Sequence, residues 1–142
     1  MEEKFLSAGL EDYIEAIYVA EINDKPLKGA ELARMLNISR ASVSEALSKL
    51  VSKGLIQYES YGIVSLTQKG QKEAQNVYTK HKILKNFFET VLGISPDEAS
   101  DNACKIEHII SENILEGVKN LTSFWANNPD LTKNFKNIQS HK

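Results

Sequence analysis

Apolar positions recur every three to four residues through most of the chain, and the breaks in that rhythm mark its joints. Leu10, Ile14, Ile17 and Tyr18 form the first helical stripe, behind Ser7 as an N-cap and ahead of the Asn23-Asp24-Lys25-Pro26 breaker. A second helix, Gly29 to Leu36, sets Leu32, Ala33 and Leu36 on one face. Val43, Ala46, Leu47 and Leu50 mark a third, which ends at Gly54. Asn37-Ile38-Ser39 between them is a tight turn: Asn37 tolerates left-handed backbone, the small Ala33 lets the helices approach, and Val43 fits the angle between them. This is a helix-turn-helix pattern. Leu55 to Thr67 then reads as two strands around a Gly-containing turn, a hairpin of the size called a wing.

Helical spacing returns with a long segment after Gly70, where Ala74, Val77, His81, Leu84, Phe88 and Val91 repeat until Gly93 closes it. Ser95-Pro96-Asp97-Glu98 combines an N-cap, a proline at the first position and a capping-box glutamate, and predicts a fifth helix to about Ile110. Ser111 caps a sixth with Ile114, Val118, Leu121 and Trp125 on one face, and a short terminal helix carries Leu131, Phe135 and Ile138. The chain is therefore mainly α: a winged helix-turn-helix domain with a two-stranded wing over residues 1–72, then an all-helical domain over 73–142. The C-terminal helices are short and rich in Ile, Leu and Phe, and would leave apolar surface uncovered in a monomer, which predicts a homodimer.

The net charge of −2 hides an uneven distribution. Residues 1–24 carry −6, residues 25–85 carry +7 and residues 86–142 carry −3. A basic stretch over the helix-turn-helix fits a phosphate-binding surface, although a solvated lysine-rich face has the same composition. No apolar run nears the roughly 18 residues that span a bilayer, and Met1 to Gly9 has acids where a secretion signal needs bases, so a cytoplasmic protein without membrane contact is expected. The single cysteine, Cys104, excludes an internal disulfide framework.

Three groups of residues carry chemistry. Cys104, Glu107 and His108 stand at i, i+3 and i+4, which puts a thiol, a carboxylate and an imidazole on one helix face within reach of one ion. Asp12 and Glu15 make a second such face on the first helix, and His81 adds an imidazole from the long helix. Singly, each has a structural reading: a core cysteine, a core histidine, a solvated acidic face. Leu10-Glu11-Asp12-Tyr13-Ile14-Glu15-Ala16-Ile17-Tyr18, the turn ending Ser42-Val43-Ser44, Leu66-Thr67-Gln68-Lys69-Gly70, Lys80-His81 and Cys104-Lys105-Ile106-Glu107-His108 together resemble the diphtheria-toxin-repressor family of metal-dependent transcription regulators. The likeness covers nearly the whole chain, whose length is similar to that of the short manganese-responsive members, so the SH3-like domain of the longer iron-responsive ones is not expected.

The resemblance implies a repressor of metal-uptake genes activated by Mn²⁺ or Fe²⁺, one or two ions per subunit. It implies a primary site from Asp12, Cys104, Glu107 and His108, with Glu15 and His81 at or beside a second ion. Asp12 follows the manganese-responsive members and Cys104 the iron-responsive ones; a carboxylate favours the harder Mn²⁺ and a thiolate softer ions, so both metals stay open. Lys85 and Ser100 stand where the iron-responsive members have ancillary ligands. Metal would offset the repulsion among Asp12, Glu15 and Glu107 and so switch DNA binding. Ser39, Arg40, Ser42, Ser44 and Glu45, with Lys49 and Lys53 further along, would face operator DNA from the third helix, and Ser60, Tyr61 and Lys69 would meet phosphates. The alternative is a winged-helix regulator that answers a small organic ligand or oxidation of Cys104. Catalysis is not expected, because no Gly-rich phosphate loop or nucleophile elbow is present.

Overall fold

Serine side chains open four of the described helices: Ser7, Ser39, Ser95 and Ser111 each accept a hydrogen bond from the backbone N–H three residues on, at 3.3, 3.1, 3.4 and 3.4 Å. Each bond satisfies one of the donors that a helix start leaves over. In the computed structural model, which describes residues 6–58 and 62–140, the elements run α1 (Ala8–Ile22), β1 (Leu27–Lys28), α2 (Gly29–Leu36), α3 (Arg40–Ser52), β2 (Ile56–Tyr58), β3 (Ile63–Leu66), α4 (Gln68–Thr90), α5 (Pro96–Ile106), α6 (Glu112–Ala126) and α7 (Pro129–Ser140). The chain divides into two units, one ending at Tyr78 and the other beginning at Thr79.

In the first unit, α1, α2 and α3 close over a small sheet. Ile14, Ile17, Leu32, Leu47, Leu50, Leu55 and Val64 are its largest fully buried side chains, each worth about 1.5–3 kcal/mol for leaving water. The turn between α2 and α3 behaves as its residues require: Asn37 is left-handed at φ 55°, ψ 51°, and Val43 is buried. The wing hairpin is present, with Ile56 opposite Leu66 and Tyr58 opposite Val64, and β1 adds a third antiparallel strand through Leu27–Val64 and Lys28–Ile63, giving the order β1-β3-β2. Two residues are too few to show alternation, so the sequence pattern did not reveal β1.

The step from wing to α4 depends on close backbone approach. Thr67 Oγ1 accepts from Gly70 N at 3.1 Å and donates to Gly54 O at 2.6 Å. Gly70 lies inside the first turn of α4, not ahead of it, and a Cβ there would sit 1.9 Å from Leu55 O.

In the second unit, Leu84 of α4, Ala103 of α5 and Leu115 of α6 form the core, flanked by Ile83, Phe88, Ile106 and Ile110. Trp125 and Phe135 meet edge to face at 5.7 Å, which ties α7 to α6. The fifth helix stops at Ile106, short of the expected Ile110. Ile109 N and Ile110 N both donate to Ile106 O, at 3.0 and 3.1 Å, and the chain turns at once into the Ser111 cap. Among the described residues no helix is long and apolar enough to cross a membrane.

Candidate metal centre and nucleic-acid interface

Glu107 is a carboxylate with no exposed side-chain surface, an arrangement that needs compensating partners. Its Oε2 lies 2.8 Å from His81 Nδ1, and its Oε1 lies 3.7 Å from His108 Nε2. A carboxylate only accepts, so Nδ1–H donates, and the second ring nitrogen of His81 faces Ser100 Oγ at 3.3 Å. In the neutral imidazole this puts the lone pair on Nε2, with the Ser100 hydroxyl donating to it. A carboxylate that fixes the tautomer of a histidine is a recurring support for metal-ligating imidazoles.

Cys104 completes the group. Donor atoms of His81, Cys104 and Glu107 all lie within 4.8 Å of one another. Ligands about 2.0–2.3 Å from one tetrahedral ion lie roughly 3.3–3.8 Å apart, so side-chain adjustments of up to about 1 Å bring the three donors to a shared ion. A thiol, an imidazole and a carboxylate suit a divalent transition metal, and the residues fit one. The three come from two helices: His81 from the buried stripe of α4, Cys104 from the last turn of α5, and Glu107 from its C-cap, still in right-handed helical conformation.

The sequence-level expectation that Cys104, Glu107 and His108 share one helix face is corrected in part. Cys104 and Glu107 keep their i, i+3 relation, whereas His108 lies in the turn beyond the helix end, and Cys104 is exposed. Asp12 and Glu15 are half-buried neighbours on α1 in the first unit. Ser100, which reads as a lost ligand in sequence, is a partner of His81, and Lys85 pairs with Glu89 at 3.8 Å. No local signal marks Ser100, because its partner lies nineteen residues away.

The expected DNA-facing residues gather at the start of α3. Arg40, Ser42, Ser44 and Glu45 are exposed on its first turns. Ser39 is occupied as the cap, accepting from Ser42 N and donating to Ser42 Oγ at 2.9 Å. Lys49 pairs with Glu45 at 3.6 Å, and Lys69 Nζ donates to Lys53 O at 3.4 Å, so Lys53 and Lys69 meet at the foot of the wing. Ser60 and Tyr61 lie outside the described residues. Sequence reading missed Lys28 and Tyr58, which line a cavity with Arg40 and Ser44.

A winged helix-turn-helix joined to a helical unit with clustered metal donors defines a metal-dependent transcription regulator. The chain belongs to the iron-dependent repressor family: residues 5–64 match its N-terminal DNA-binding domain, and residues 67–136 its metal-binding and dimerisation domain. An uncharacterized HTH-type transcriptional regulator of Methanocaldococcus jannaschii is 42% identical over 80% of this chain and 92% of its own. The HTH-type transcriptional regulator MntR of Lysinibacillus sphaericus is 29% identical over 87% of this chain and 88% of its own. Among solved structures, a manganese-dependent transcriptional repressor in complex with manganese aligns at 28% identity with a TM-score of 0.75, over 81% of this chain and 53% of that one. The manganese regulator SloR aligns at 28% identity with a TM-score of 0.71, over 81% and 54%. The chain thus spans about half the length of these two solved structures.

Proposed function

We propose that this protein is a cytoplasmic homodimeric repressor that binds operator DNA when Fe²⁺ or Mn²⁺ occupies a site built on His81, Cys104 and Glu107, and that it acts by binding alone. The meeting of those three donors supports the reading. The family resemblance adds Asp12, Glu15 and His108 as further ligands. A bound divalent ion supplies positive charge that offsets the carboxylates of the set. The chain's own part is to hold Glu107 buried and the His81 ring in one orientation, so that the donors are placed before metal arrives. A coupling of about 1–3 kcal/mol between metal and DNA changes DNA affinity roughly 5–150-fold.

The Cys104 thiolate favours the Fe²⁺ assignment, since sulfur prefers ions softer than Mn²⁺. A Mn²⁺ reading has support in the manganese-dependent repressor whose structure the chain resembles. Anaerobic fluorescence anisotropy on the promoter of the protein's own gene, with chelator, Mn²⁺ or Fe²⁺, tests both. Binding that needs Fe²⁺ supports the first, and binding that needs Mn²⁺ the second. Equal binding in chelator sinks the metal switch and turns attention to an organic effector or to oxidation of Cys104.

A further inference from the structure

On the DNA-binding unit, a cavity of about 300 Å³ opens between the starts of α2 and α3 and the end of β2, lined by Lys28, Gly29, Arg40, Ser44 and Tyr58 among others. Among the described residues its charged lining is all cationic, from Lys28 and Arg40, and Ser44 and Tyr58 line it with hydroxyls. Two described acids nearby are directed elsewhere: Glu31 accepts from the backbone N–H of Lys28 at 3.3 Å, and Glu45 pairs with Lys49. Tyr58, the last residue of β2, is 47% exposed, an unusual place for an aromatic ring unless its hydroxyl has a use.

Gly29 explains how that hydroxyl is admitted. A Cβ at position 29 would lie 2.6 Å from the Tyr58 hydroxyl oxygen, so only a glycine lets the ring tip reach the start of α2. The same residue ties this corner to the wing, with Gly29 N donating to Gly62 O at 3.3 Å. Phenol, guanidinium and ammonium are thus held around one space, a donor set suited to a tetrahedral oxyanion.

We propose that this cavity is a clamp for a DNA backbone phosphate, in which Lys28 and Arg40 supply charge and Tyr58 a directional hydrogen bond. The proposal rests on the reading that the start of α3 faces DNA, and it assigns Arg40 to the backbone instead of a guanine edge. Such contacts set register and affinity and carry no sequence information directly. Gly29 is then a positioning residue, since it acts by admitting the Tyr58 hydroxyl.

The test is fluorescence anisotropy of the full-length, metal-loaded protein on operator and on scrambled duplex across a salt series, with inorganic phosphate compared against chloride at equal ionic strength. Lys28→Ala and Arg40→Ala are each expected to weaken both duplexes alike and to reduce the salt slope by about one. Tyr58→Phe is expected to weaken both about tenfold with the slope retained. Gly29→Ala, if it folds, should resemble Tyr58→Phe. Metal affinity stays at the wild-type value in all of them. Wild-type affinity and slope in Lys28→Ala and Tyr58→Phe overturn the clamp alone, as does a change confined to sequence preference. Competition by inorganic phosphate beyond its ionic strength is expected at the same cavity and should be lost in Lys28→Ala; competition of wild-type strength in Lys28→Ala overturns the clamp. A wild-type protein that binds no duplex overturns the DNA-facing reading of α3 together with the clamp.

Discussion

Gly70 and Ser100 are small residues whose importance comes from what lies opposite them. At Gly70 the carbonyl of Leu55 occupies the space a side chain would need, and backbone cannot swing aside as a side chain can. Gly70→Ala is therefore expected to cost about 3 kcal/mol or more, read as a large fall in melting temperature; a melting curve at the wild-type position would contradict that close approach. Ser100 works through His81. With an ion at Nδ1 in place of the proton, Nε2–H would donate to the Ser100 hydroxyl; Ser100→Ala removes that acceptor while leaving the helix intact, so the fold should persist and metal affinity should drop roughly 10–100-fold. Unchanged affinity by competition with a fluorescent chelator would mean that Glu107 alone orients the ring. Cys104→Glu, which replaces sulfur by a harder oxygen donor, is expected to shift preference from Fe²⁺ towards Mn²⁺.

At the scale of elements, the contact that stands out joins α1 to the wing. Glu21 Oε1 accepts from Leu66 N at 2.8 Å, across forty-five residues of sequence. Since β1 pairs with β3 only through Leu27 and Lys28, the carboxylate satisfies an edge position that a longer strand would have covered. Glu21→Ala leaves that part-buried N–H without its acceptor, and a loss of about 1–3 kcal/mol in denaturant unfolding is expected, with Glu21→Gln largely restoring it through its amide oxygen. This contact also shows where sequence legibility ends. Caps, breakers and periodicity are local, so Ser7, Ser95, Ser111, the Asn37 turn and the hairpin were readable directly. His81, Cys104 and Glu107 were legible as ligand-type side chains through residue type and spacing, and the structure brings their donor atoms within 4.8 Å of one another. Glu21, Ser100 and Tyr58 were silent because their roles depend on distant partners. The end of α5 was misread for the opposite reason: Ile106 and Ile110 keep helical spacing after the helix itself has stopped.

At the scale of the whole molecule, α6 carries more of the exposed large apolar side chains than any other element among the described residues. Ile114, Leu121 and Phe124 are 61%, 43% and 58% exposed; Ile114 and Leu121 lie about 100° around the helix from the core residues Leu115 and Thr122, and Phe124 lies on the opposite side. Gly117 lies in the same row with open space above its Cα, which allows another helix to come close. A monomer has no reason to display such a row, and this half of the chain is the family's dimerisation domain. A second copy seated on α6 would remove the row from water and bring two recognition helices to two half-sites, as a twofold operator requires. Leu121→Glu puts a charge in the middle of that contact. The expected result is a folded monomer by sedimentation that still binds metal, because His81, Cys104 and Glu107 belong to one chain, yet holds operator DNA with only half-site affinity. A variant that sediments as a dimer would move the interface to another face of the helical unit, and a monomer that has also lost metal binding would mean that pairing helps to assemble the metal centre.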